Sequence, residues 1–240
     1  MLPYDAVIGG KMARLELLNT EAHGGLRLRP PVAAEPHFVQ IVLPEFASAA
    51  ACCPILFAKN PETGSFYAGA MFGFKRGENL LDDDSGVGRA FRPLDVERQG
   101  FFASGEEIAV DLDHPRISRD EGDPLFDEDG DPAEAMRRIQ RAIGLLVTGT
   151  DQTDAFIRKM VDLRLVESID ISLNFDDGET LRLEGLYTVS LDSLAELDDQ
   201  PALELFRSGY LHHAYTVADS LRQIPVLAHR RNQHLADSSA

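Results

Sequence analysis

The sequence predicts an α+β fold, a largely antiparallel sheet with helices packed against it in a single domain. Three observations carry that prediction. Short apolar runs bounded by Gly and Pro dominate the first half, the apolar spacing turns helical after Pro132, and a hairpin signal returns before the last helices. Strands and helices are thus partly segregated rather than strictly alternating, the pattern of an α+β domain. At 240 residues and 44% hydrophobic content the chain can bury one substantial core, hiding roughly 70% of the surface exposed when unfolded.

Residues 1–36 carry "GGK", "HGG" and "RPPVAAEP", breaks that exclude a long helix and predict an arm lying on the domain. The runs "HFVQIVL", "CCPILFA" and "SFYAGAMFGF" follow. Their length and aromatic content predict strands, the last two forming a hairpin across "KNPETG". Residues 77–106 are polar and irregular, and "IAVDLD" adds one short strand. Met136, Ile139, Ile143, Leu146 and Val147 then recur at helical spacing. Gly149 is expected to end that helix and Asp151 to cap a second one, with Phe156, Ile157, Met160 and Val161 as its apolar stripe. "IDISLNF" and "TLRLEGLYTVS" flank "DDGE", whose Asp and Gly tolerate the positive φ of a tight hairpin. "LDSLAEL" and "PALELFRSGYLHHAYTVADSLRQI" predict closing helices. The α+β domain is expected to span 37–230, and residues 231–240 to be a disordered tail.

Forty acidic residues against 23 basic ones give a net charge of −17. Nonspecific nucleic-acid binding rests on Lys and Arg neutralising phosphates, so this balance excludes it as the expected function. Cys52 and Cys53 are neighbours in sequence, and bridging adjacent positions strains the backbone. They are expected to be small core residues, consistent with a reducing compartment. The start has no basic region followed by an apolar run, and no apolar stretch of about 18 residues occurs, so a cytoplasmic chain without a transmembrane segment is expected.

The acidic stretch "DPLFDEDGDP" at 123–132 invites a reading as a calcium loop. With Gly130 as the sixth residue, Leu125 falls first and Met136 twelfth, where acidic ligands are required. The stretch is expected to be a turn, with Pro132 in the first turn of a helix. No His is followed two residues later by Asp or Glu, and no H-E-x-x-H, G-x-S-x-G or G-x-x-x-x-G-K-[ST] pattern occurs. Asp82, Asp83 and Asp84 are expected to be a solvated run. The His212–His213 pair is expected to serve packing and hydrogen bonding. No catalytic residue, metal ligand or cofactor is therefore expected.

One polar set invites a ligand. "FKRGENLL" places Arg76, Glu78 and Asn79 just past an apolar strand, and "RPLDVERQGFF" brings Arg92 and Arg98 beside aromatics. Arginine clamps carboxylates and phosphates through two parallel hydrogen bonds, so a small anionic ligand held by Arg76, Glu78, Asn79 and Arg98, with His23 packed alongside, is one reading. The other is internal: Gly77 makes a turn, Asn79 bonds the backbone and Arg98 pairs with a neighbouring acid.

The succession "LLNTEAHGGLRL", "CCPILF", "GFKRGENLL", "FRPLDVERQGFF", "GDPLFDEDGDP" and "SGYLHHAYTVADSL" resembles the SapC family of bacterial proteins over roughly residues 15–230. The family pattern falls on Asn19, His23, Pro54, Phe57, Gly77, Glu78, Asn79, Leu80, Pro93, Arg98, Leu125, Phe126, Gly130, Ser220 and Leu221. Val217 stands where many relatives carry histidine, which implies a packing role there. The family takes its name from a component of the paracrystalline surface layer of certain bacteria. The resemblance thus implies a surface-layer or envelope-associated role; with the catalytic signatures missing, a non-enzymatic accessory or interaction protein with a partner there is expected, the alternative being a small-molecule-binding or enzymatic domain that uses the loop region 76–98.

Overall fold

The computed structural model describes residues 14–30, 37–81 and 91–238, and the architecture is α+β with antiparallel sheets. Two compact units are distinguished: residues 1–33 with 93–148, and residues 34–92 with 149–240. Asp82, Asp83 and Asp84 lie outside the described residues.

In the first unit, Glu107–Asp111 is the middle strand between Leu15–Leu17 and Phe101–Ser104. A second small sheet sets Arg27–Leu28 between Ile117–Ser118 and Asp123–Pro124. Leu26, Leu28, Phe101, Val110, Leu125, Met136 and Ile139 share one core. The described part of the segment expected to be an arm, 14–30, therefore supplies two strands and two core leucines; its Gly and Pro breaks delimit elements too short to show a period. Phe101–Ser104 falls inside the stretch expected to be irregular, where only two aromatics mark it.

The acidic stretch turns as expected, but Pro132 is not in the first turn of the helix, which starts at Glu134; it forms a bridge with Phe126 instead. One Asp127 carboxylate oxygen accepts the backbone N–H groups of Asp129 at 3.2 Å and Asp131 at 2.8 Å. Gly130, at φ 83°, occupies the left-handed region that a side chain resists. Buried Leu125 and Phe126 anchor the turn to the core, and Ala133 N–H bonds back to the Leu125 carbonyl.

The second unit is built on a five-stranded sheet in the order Val166–Ser168, Leu186–Val189, Ile55–Lys59, Phe66–Met71, Phe38–Gln40, every pair antiparallel. The predicted hairpin across 59–64 is present at its centre. Ile55, Leu56 and Phe57 are fully buried, which is why the middle strand reads as an unbroken apolar run rather than an alternation. Helix Tyr210–Ser220 packs on this strand and on Leu186–Val189. Phe46, Phe57 and Phe156 meet edge to face at centroid distances of 5.9 and 6.3 Å. Cys52 and Cys53 are free thiols, both buried, and their Sγ atoms reach the Ala49 carbonyl at 3.6 and 3.2 Å.

Three element boundaries differ from expectation. Glu134–Asp162 is one helix, and Gly149 lies inside it. A Cβ at Gly149 would stand 2.7 Å from Val42 Cγ2, so this glycine serves close approach rather than termination. The strand after "DDGE" breaks at Glu184–Gly185: Thr180–Leu183 pairs with Ile171–Asn174, whereas Leu186–Val189 joins the five-stranded sheet. The last predicted helix is divided by Gly209 into Asp199–Ser208 and Tyr210–Ser220.

Candidate functional site

The five residues singled out from the sequence do not fall in one unit. His23 and Arg98 belong to the first, Arg76, Glu78 and Asn79 to the second.

In the first unit, Asn19 caps helix Thr20–His23 by accepting the Ala22 N–H at 2.8 Å. His23 is 2% exposed. Its Nδ1 accepts the Asn19 N–H at 3.1 Å, which leaves the proton on Nε2, 3.3 Å from Glu16 Oε2. Both ring nitrogens are thus occupied within seven residues of chain. Arg98 pairs with Asp95 at 2.6 Å, donates to the Phe101 carbonyl at 3.2 Å and lies over the Phe102 ring. It closes the turn between helix Leu94–Glu97 and strand Phe101–Ser104. A residue that sequence reasoning missed, Arg116, is buried here, its Nη1 2.7 Å from the Glu97 carbonyl and its Nε 3.2 Å from that of Arg29. It satisfies carbonyls that helix Leu94–Glu97 leaves open, and nothing in "DHPRIS" announces it.

In the second unit, Glu78 Oε2 accepts the backbone N–H groups of Phe74 at 2.7 Å and Lys75 at 3.3 Å. Asn79 accepts that of Leu81 at 3.0 Å. Arg76 is exposed, and among the described residues its side chain makes no hydrogen bond or ion pair.

Glu78 has a further partner that the sequence placed in a disordered tail. Helix Gln223–Ser238 carries Arg231, whose side chain is 6% exposed. Its Nε lies 3.4 Å from Glu78 Oε1, its Nη2 2.7 Å from Glu179 Oε2, and its guanidinium 4.2 Å from the Phe175 ring centroid. Lys75 also reaches Glu179, at 2.5 Å. The Lys75 ammonium first, and Arg231 with it, holds the Glu179 carboxyl below the usual carboxylate range. Arg230 donates to the Leu80 carbonyl at 3.2 Å, and Asn232 accepts the Asp176 N–H at 3.2 Å. Consecutive residues therefore tie the terminal helix to the 72–81 segment and the 171–183 hairpin. The expected tail is a structural helix as far as Ser238.

Two further features come from the helices. His213 rests edge to face against Phe46 and Phe156, each at 6.0 Å, and its buried Nδ1 has no hydrogen-bond partner among the described residues. Burial, and then the neighbouring His212, push its pKa below the ordinary value. Phe206 is 69% exposed and Leu203 is 41% exposed, while Leu205 on the same helix faces the core. Leu203 and Phe206 are one helical turn apart and share a face. Asp192, Glu196, Asp198 and Asp199, all exposed, precede them.

Among the described residues, no three His, Cys, Asp or Glu side chains converge as a metal site, and no helix is long and apolar enough to cross a membrane. No curated protein and no solved structure matches the chain. A family model described as SapC matches residues 18–227, and with most of the chain covered the protein belongs to the SapC family.

Proposed function

We propose that this chain is a non-enzymatic interaction protein of the bacterial surface layer or envelope, and that it docks a protein partner through helix Asp199–Ser208. The observation that carries the reading is the exposed pair Leu203 and Phe206 on a helix that opens with Asp199 and is preceded by three more exposed carboxylates, Asp192, Glu196 and Asp198. An aromatic side chain in that position offers a large apolar contact at small cost in conformational entropy. The acidic approach selects a partner whose apolar patch is rimmed by basic groups. Membership of the SapC family, whose name comes from a surface-layer component, is what favours the surface layer or envelope in this reading. The polar set once read as a ligand clamp supports this choice, because His23, Glu78, Asn79 and Arg98 are each engaged within the fold.

The test is cross-linking in cells of the encoding bacterium, with a photoreactive residue in place of Arg207 and Phe206→Asp as the control. The expected result is a cross-link to a surface-layer or envelope protein that Phe206→Asp abolishes. Recovery of the chain without a cross-link, or a cross-link indifferent to Phe206→Asp, would overturn the reading.

A further inference from the structure

The second unit contains a cavity of about 410 Å³, within the range typical of small-molecule sites. Phe38, Met71 and Phe74 contribute apolar wall, and His37, Arg182 and Glu184 contribute polar lining. Among the described residues, neither Arg182 nor Glu184 has an ion pair, although they stand only two residues apart. The contrast lies within the same unit, where Lys75, Lys159 and Arg231 each hold a carboxylate at 2.5–3.0 Å. An unpaired guanidinium and an unpaired carboxylate beside the apolar wall of one open cavity complement a ligand carrying both charges on an apolar body.

We propose that this cavity binds a small zwitterion, an amino acid with an apolar side chain. Arg182 receives its carboxylate, Glu184 receives its ammonium group, and the side chain lies against Phe38, Met71 and Phe74. A guanidinium holds a carboxylate through paired hydrogen bonds, which fixes the orientation of the ligand as well as its charge. No covalent step is involved. The site is independent of the docking helix, so either proposal can fail without the other.

The experiment titrates the full-length protein with three probes of equal apolar body: phenylalanine, 3-phenylpropionate, which lacks the ammonium group, and phenethylamine, which lacks the carboxylate. Calorimetry and ligand-observed NMR report binding. Phenylalanine is expected to bind saturably and more tightly than either analogue. Arg182→Gln should weaken phenylalanine and 3-phenylpropionate by at least about fivefold, the size of a partly solvated ion pair, and leave phenethylamine unchanged. Glu184→Gln should do the reverse. Both side chains are exposed and unbonded, so the variants keep the parent melting temperature. Absence of saturable phenylalanine binding up to roughly 10 mM, the weak limit for a ligand of this size, would overturn the proposal. So would equal affinity for the three probes, or affinities that neither variant changes.

Discussion

Replacing Arg231 tests whether the terminal helix is part of the folded unit or an appendage resting on it. Removing one partner from a fully buried ion pair costs about 3–5 kcal/mol, because the other charge is stranded. Here the stranding is incomplete. The side chains of Glu78 and Glu179 are 21% and 31% exposed, Glu78 keeps the N–H groups of Phe74 and Lys75, and Glu179 keeps the Lys75 ammonium. Arg231 also leaves its own Nη1 buried and unbonded, a cost of about 1 kcal/mol that a neutral replacement relieves. Arg231→Met retains an aliphatic stem against Phe175, so the net loss is about 1–2 kcal/mol, or roughly 3–6 °C in melting temperature for a chain of this length. Arg231→Ala should cost about 1 kcal/mol more through lost packing. Urea denaturation gives the magnitude. Amide exchange gives the location, which should be the hairpin 171–183, the 72–81 segment and the terminal helix together. A neutral or stabilised Arg231→Met, or faster exchange confined to 223–238, would refute the view that this guanidinium joins three segments.

Four other outcomes are expected. His213 has a lowered folded pKa, so the unfolded chain binds the extra proton; stability present above about pH 6.5, the unfolded value, is lost as pH falls towards the folded pKa. Melting temperatures measured from pH 7.5 to 5 should show this slope, and His213→Phe should reduce it. Thr153→Val removes the acceptor of the buried Leu43 N–H, 2.8 Å away, and should cost about 1–3 kcal/mol by chemical denaturation. Gly149→Ala places a Cβ against Val42; overpacking of about 1–3 kcal/mol exceeds the gain of about 1 kcal/mol in helix propensity, and Val42→Ala should rescue it. Calcium should leave the melting temperature unchanged, since one Asp127 oxygen is already taken by the turn and Leu125 and Met136 stand at the end ligand positions; a concentration-dependent rise would refute that account.

The fold class was legible because it depends on local pattern. The central strand Ile55–Lys59, its hairpin partner Phe66–Met71 and the turn at 127–131 each announce themselves through composition within a dozen residues. What was not legible depends on partners distant in sequence. Gly149 reads as a helix stop until Val42 is seen beside it. Residues from Arg231 onward read as a tail because their order comes from Glu78 and Glu179, and no local rule signals a buried arginine. The strand Leu15–Leu17 is three residues long, below the length at which alternation can be recognised.

The same distinction explains why the polar residues that looked most like a site are engaged in holding the chain. His23, Arg76, Glu78, Asn79 and Arg98 were conspicuous because polar side chains stood beside turns and aromatics. That neighbourhood also lets a side chain bond the backbone within a few residues, and all but exposed Arg76 do so within four positions along the chain. Ser220 accepts the Ile55 N–H at 2.8 Å and donates to the Val217 carbonyl at 2.6 Å, locking helix Tyr210–Ser220 to the central strand. A polar residue that can satisfy its hydrogen bonds locally has little left for a ligand. Those that cannot, Arg182 and Glu184 among them, sit in ordinary sequence context and become visible only when the cavity beside them is formed.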